Sequence, residues 1–388
     1  MEYKLEELFD LQMGKTPSRS NPEYWNTGDN KWISIADLSK CGKYICETKK
    51  CISDMAIKES GISQIPANTV VMSFKLSIGK TAITSEDMYS NEAIMSFRDK
   101  HVVDLLPEYV YYLLQAHNWN EGTNKAVMGK TLNKATLSKI KVSIHSRKEQ
   151  IEIINCLNTV MRIVNTRQQQ LQKLDELVKA RFSELFVATD EASDWPYCTI
   201  ADVSNDMRTG PFGSALHHDE FVDSGVFVLG IDNAVENKFS YNRMRYITAE
   251  KYQELKRYTV YPGDVIITIM GTVGRSAVIP ADMPKAINTK HLACITPNVK
   301  MVNAQFLSCA FQVHPDIRAQ LQKQCKGAIM DGLNLTIIKG LSFHIPPINL
   351  QDWFVGFYEQ VDKSKVAVQK ALDEAQLLFD SLMQKYFG

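Results

Sequence analysis

The triplet Gly-Lys-Thr occurs three times, at Gly14-Lys15-Thr16, Gly79-Lys80-Thr81 and Gly129-Lys130-Thr131. A glycine followed by lysine and a hydroxyl residue is the end of a phosphate-cradling loop. That loop also needs a glycine five residues before the second one. Phe9, Phe74 and Asn124 occupy those places, so nucleotide hydrolysis is not expected. Cys41, Cys46 and Cys51 lie five residues apart, wider than the Cys-x2-4-Cys pairs of structural zinc. They read as incidental or buried thiols. The pair His217-His218 reads as a loop facing solvent or a polyanion rather than as metal ligands. The chain has no His-Glu-x-x-His and no Gly-x-Ser-x-Gly, and no nuclease-like cluster of carboxylates with lysine stands out.

Asn21-Pro22-Glu23-Tyr24 is close to the Asn-Pro-Pro-Tyr with which amino-methyltransferases stack a flipped base. Its third residue is Glu, and no glycine-rich cofactor loop follows a strand upstream. No cofactor is expected to bind this chain by itself. The pattern of missing motifs points to a binding protein.

What must position these residues is a duplicated scaffold. At an offset of 195, Trp32-Ile33-Ser34-Ile35-Ala36-Asp37 falls on Phe227-Val228-Leu229-Gly230-Ile231-Asp232. Val70-Val71-Met72-Ser73 falls on Val265-Ile266-Ile267-Thr268, and Ile78-Gly79-Lys80-Thr81 on Val273-Gly274-Arg275-Ser276. At an offset of 201, Leu132-Asn133 meets Leu333-Asn334, Gln150 meets Gln351, Val160 meets Val361 and Phe186 meets Phe387. Residues 1–188 and 195–388 are therefore two copies of one unit.

The first part of each copy reads as mixed α/β. β-rich runs at Thr69–Phe74 and Asp264–Met270 are bounded by turn residues, including Pro262-Gly263. Gly79 and Gly274 follow these strands, where a tight turn needs positive φ. Helical runs follow at Glu108–Asn118 and Ala304–Val313. Each copy ends in a long apolar stripe at 3/4 spacing. One holds Ile154, Leu157, Met161, Val164, Leu171, Val178, Phe182 and Leu185; the other holds Phe354, Phe357, Val361, Val368, Leu372, Ala375, Phe379, Leu382 and Tyr386. Gln168 and Asp175 interrupt the first. Helices of ~35–40 residues, about 50–60 Å long, outrun a single domain, so the expected partner of each stripe is the other, antiparallel. The expected segments are 1–145 and 195–345, globular, and 146–188 and 346–388, helical.

Lys and Arg number 44 and Asp and Glu also 44, so bulk charge does not argue for nucleic acid. Residues 120–181, however, carry twelve Lys or Arg against five acids. The amino-terminal residues lack the basic and apolar segments of a secretory signal. No run is long and apolar enough for a membrane span, and eight scattered cysteines suit a reducing compartment. A cytoplasmic location is expected.

Two α/β domains, each followed by a similar long helix, resemble the specificity subunit of type I restriction-modification systems. The strongest local matches are Gly327-Ala328-Ile329-Met330-Asp331-Gly332-Leu333-Asn334 and then Ile345-Pro346-Pro347-Ile348-Asn349-Leu350-Gln351. The first copy offers Met128-Gly129-Lys130-Thr131-Leu132-Asn133, with His145-Ser146 in place of the Pro-Pro step. The resemblance implies two target-recognition domains, each reading half of a split site on double-stranded DNA. It implies helices that set the spacing and dock two methyltransferase subunits. A translocating restriction subunit could join for cleavage. The chain itself would be non-catalytic. Expected DNA contacts are Lys15, Arg19, Lys75, Lys80, Lys125 and Lys130 in the first copy. In the second they are Arg208, His217, Arg243, Arg245, Arg275, Lys290 and Lys326. Lys80 and Arg275 stand out because they follow matching strands. The rival readings are a coiled-coil scaffold that binds proteins and a stand-alone DNA-modifying enzyme.

Overall fold

The computed structural model describes the chain except residues 76, 120–123, 127–128, 133 and 326–332. For 26–29, 124–126, 129–131, 214 and 324–325 it describes the backbone alone. It divides into two compact units, Met1–Gln168 with Lys370–Gly388, and Gln169–Gln369.

In the first unit, one sheet has the order Phe9–Met13, Ile94–Asp99, Val70–Ser73, Thr81–Thr84, Tyr44–Ile45. All its neighbours are antiparallel except the last pair. A smaller sheet places Trp25–Ile33 between Lys50–Ile52 and Tyr89–Ser90, the latter parallel. The second unit repeats the plan. Ser204–Thr209, Leu292–Pro297, Val265–Thr268 and Ser276–Val278 form one sheet; in the other, Val226–Leu229 pairs parallel with Ala286–Asn288. In both units the strand nearest the amino end, Glu2–Lys4 or Tyr197–Thr199, pairs with the strand preceding the long helix, Lys141–Ser143 or Ser342–His344.

The apolar runs are continuous because these strands are covered on both faces. Val70 and Met72 join the core formed with helix Pro107–Ala116, while Val71 turns to the core shared with Ile33 and Ile94. Val265 and Ile267 face helix Ala304–Val313, and Ile266 faces the core of Leu229 and Leu292.

The repeat register differs from the expected one at a single strand. Ile33 O accepts from Asn91 N, and Leu229 O accepts from Thr289 N. Ser34 N is capped by Asp37, and Gly230 N by Asn233. Ile33 thus corresponds to Leu229, an offset of 196 rather than 195. In a strand one residue is decisive, because it exchanges the faces. At the corrected offset Trp32 and Val228 lie together on one side, Ile33 and Leu229 on the other.

The long helices are Arg147–Phe186 and Ile348–Phe387, both 40 residues. Each begins in the unit of its own copy and ends in the other unit. In the first unit Ile154, Leu157 and Val160 share a core with Phe379 and Met383. In the second, Val178, Phe182 and Phe186 share one with Phe354 and Val361. The beginning of one helix therefore meets the end of the other, which is antiparallel pairing. Asp175, one of the interruptions, meets Lys365 at 2.5 Å. The helix ends dock alike. The Phe387 ring lies 5.5 Å from Tyr109, and the Phe186 ring 4.8 Å from Phe306. The unit boundary falls within the helices rather than at their starts, because each globular part packs on a piece of both.

Candidate nucleic-acid interface

Each copy starts its long helix with a buried glutamine. Gln150 Nε2 donates to Asp104 O and His145 O, and its Oε1 accepts from Leu106 N. Gln351 Nε2 donates to Met301 O and Pro346 O, and its Oε1 accepts from Asn303 N. Three backbone groups at the junction of sheet, short helix and long helix are thereby satisfied in the interior, where leaving them unpaired is costly. The two glutamines were visible in the sequence only as a matching pair.

The hairpin turns that carry Lys80 and Arg275 are also built alike. The Ser73 and Thr268 hydroxyls each donate to the carbonyl four residues on, and accept from Lys80 N at 3.1 Å and Arg275 N at 3.0 Å. Gly79 and Gly274, at φ +89° and +81°, close the turns. The backbones are therefore fixed while the side chains diverge. Lys80 Nζ donates to Ser39 Oγ at 2.6 Å, whereas Arg275 is exposed and has no polar partner among the described residues.

A second pair of loops is locked by a glycine. A Cβ on Gly14 would lie 2.0 Å from Ser90 O, and one on Gly210 2.3 Å from Asn288 O. The backbone therefore passes residues 90–91 at Gly14 and residues 288–289 at Gly210 too closely to admit a side chain. In the first unit this gathers several expected contacts. Lys15 donates to Ser60 O and Gly61 O, at the end of helix Asp54–Ser60, where a cation is favoured. Arg19 is exposed, and Lys75 sits 5.3 Å from the Phe74 ring centre. Both lie close enough to Glu92 to favour its ionised form. Burial pushes the Glu92 carboxyl up, but the Thr16 hydroxyl hydrogen bond and these cations leave it below the usual range. Lys125 and Lys130 pair across a hairpin whose side chains are not described.

In the second unit Arg245 and Lys290 flank His291. Burial, then these two cations, push His291 below the ordinary imidazole value. Arg245 also meets Asp232 at 2.5 Å. Arg243 and His217 are exposed, and His217 N donates to Glu220. Lys326 lies outside the described residues.

Arg208 departs from the expectation of a contact residue. Its side chain is 12% exposed and bonds Asp264, itself 1% exposed, at 2.5 Å. It also bonds Asp206, Thr259 O and Thr296 Oγ1. The guanidinium neutralises a buried carboxylate and is spent inside the fold, so it is not offered to a ligand. Sequence could not show this, because Asp264 is 56 residues away.

A further network escaped sequence reading. Glu108 accepts from Lys43 at 2.7 Å, Tyr44 at 2.9 Å and Asn158 at 2.9 Å. It ties the sheet edge and the short helix to the long helix. Among the described residues no group of three or more His, Cys, Asp or Glu side chains is arranged to hold a metal. No helix among them is long and apolar enough to cross a membrane.

Comparison with known proteins agrees with this architecture. Residues 1–176 match the family model described as the type I restriction modification DNA specificity domain. The type I restriction enzyme MjaIX specificity subunit of Methanocaldococcus jannaschii is 21% identical, covering 98% of this chain and 91% of that one. The EcoBI specificity subunit of Escherichia coli is 24% identical over 73% of this chain and 63% of its own. Among solved structures, the type I S subunit from M. genitalium shares 14% identity and covers 100% of this chain and 96% of its own, with a TM-score of 0.56. A chain from a type I restriction-modification complex, studied for its assembly and conformational transition, shares 13% identity and covers 99% of this chain and 96% of its own, with a TM-score of 0.62. The fold is the one shared with these solved type I S-subunit structures. Residues 1–176 thus match a DNA specificity domain, and over nearly its whole length the chain is similar to specificity subunits of type I restriction enzymes.

Proposed function

We propose that each globular part reads one half of a split DNA site, that the paired helices set the spacing, and that the chain does no chemistry itself. The observation that supports this is the pair of hairpin turns ending in Lys80 and Arg275, which share the same hydroxyl hydrogen bonds and positive-φ glycine and differ in side chain. A frame kept constant with its contact residues varied is what two different half-sites require. The candidate contacts that remain are Lys15, Arg19, Lys75 and Lys80, with His217, Arg243, Arg245, Arg275 and Lys290, and from the sequence alone Lys125, Lys130 and Lys326. Arg suits bidentate contact with guanine, and Lys suits phosphate. Near-zero net charge is compatible with this role if partners supply phosphate contacts.

The relatives' names make them subunits of restriction enzymes, which supports action within an assembly; the partners in it would be two methyltransferase subunits. Those subunits would carry the cofactor chemistry, a restriction subunit would join for cleavage, and the assembly would work in the cytoplasm. The test is to co-express the chain with its neighbouring methyltransferase gene and map methylation genome-wide. Replacing residues 1–145 by the equivalent part of a relative should change one half of the methylated motif and leave the other half intact. Methylation that does not depend on this chain would overturn the reading.

A further inference from the structure

Glu92 and Lys290 occupy the same backbone position in the two units. Ser73 pairs with Ile94 and Thr268 with Leu292. Phe74 N donates to Ala93 O, and Ile269 N to His291 O. The turns 91–94 and 289–292 close with the same hydrogen bond, Ile94 N to Asn91 O and Leu292 N to Thr289 O. The residue second in each turn is exposed, and it is a carboxylate in one unit and an ammonium in the other.

Glu92 borders an open cleft of about 560 Å³ with Lys15, Thr16, Tyr24, Glu59 and Ser60. The other charged groups there are already engaged: Lys15 with Ser60 O and Gly61 O, Glu59 with the Tyr24 hydroxyl. An ionised carboxylate is an acceptor only, with about four lone-pair positions, and Thr16 uses one of the Glu92 oxygens. Acceptor capacity therefore remains on a side chain whose loop is locked by Gly14. Lys290, at the matching place, can only donate.

We propose that Glu92 is a specificity-determining residue that accepts a hydrogen bond from an exocyclic amino group, of cytosine or adenine, in the half-site read by the first unit. Lys290 acts with the opposite sense in the second, toward the acceptor edge of guanine. This rests on the half-site reading above. The exchange of charge at one backbone position makes the two units prefer opposite base edges.

The experiment uses the complex with its methyltransferase subunits and the motif found by methylation mapping. Each amino-bearing base of the first half-site is replaced in turn by an analogue lacking the amino group, and duplex affinity is measured. One replacement should weaken binding by the wild-type complex about ten-fold, and its identity tells cytosine from adenine. Glu92→Leu should erase that penalty and broaden the same position in the methylation map, with the second half-site unchanged. Lys290→Glu should alter only the second half-site. If no replacement carries a penalty, or if Glu92→Leu keeps the penalty and the motif, the proposal is overturned. Loss of both half-sites together in Glu92→Leu would likewise overturn it. A motif independent of the chain would instead sink the half-site reading.

Discussion

At the scale of single residues, the polar groups that matter most are those whose partners lie far along the chain. Gln150 answers three backbone groups at a buried junction, and Gln351 does so in the second unit. Gln150→Leu keeps the volume but strands Leu106 N, Asp104 O and His145 O. The expected cost is about 2–4 kcal/mol, since each buried orphan costs roughly 1–3 kcal/mol before relaxation. Denaturant midpoints of the variant would check this; a shift below about 0.5 kcal/mol would mean that water replaces the side chain. The glycine match between the turns was legible in the sequence, and so was the basic residue that follows each. The burial of Arg208 was not, because a surface contact and an internal counter-ion are the same letter.

At the scale of elements, the Lys43–Glu108–Asn158 cluster holds sheet edge, short helix and long helix together. Burial alone would raise the Glu108 carboxyl, but hydrogen bonds from Lys43, Asn158 and Tyr44 outweigh it and leave the value lowered. A carboxyl lowered in the folded state stabilises above its unfolded value of about 4.3, and that contribution is lost as pH falls through the folded value. Glu108→Gln should therefore lower stability near neutral pH and flatten the acid limb, so that variant and wild type converge only once pH has fallen below the lowered folded value. Stability curves at several pH values would test this; parallel curves would show that the charge contributes nothing. The strand elements were legible because buried two-sided strands give unbroken apolar runs. Their exact repeat register was not, because Phe227, Val228 and Leu229 are equally apolar and all three are buried. The hydrogen bonds of the parallel neighbour and the caps at Ser34 and Gly230 select the offset.

At the scale of the whole molecule, the duplication is carried by helices that begin in one compact unit and end in the other. Inserting seven residues after Gln168 and seven after Gln369 keeps the apolar stripes in phase and lengthens each helix by about 10 Å. At about 3.4 Å per base pair, the spacer between the methylated half-sites should grow by about three base pairs. Insertion into one helix alone should break the pairing and abolish methylation. Methylation mapping distinguishes these outcomes, and an unchanged spacer in the double insertion would show that the helices do not set it.

Periodicity and repetition are properties of the sequence, and they were enough to determine the duplication, the mixed α/β class and the pairing of two long helices. Turn glycines and strand patterns are local, so Gly79 and Gly274 announce themselves wherever the chain ends up. What only the tertiary structure decided is which charges remain available. Arg208 is consumed by Asp264, whereas Lys15 stays exposed at a helix end, and Glu92 and Lys290 prove to be the same position with opposite charge. The physical reason is that an ionic side chain takes its meaning from its neighbours, and those neighbours come from distant parts of the chain.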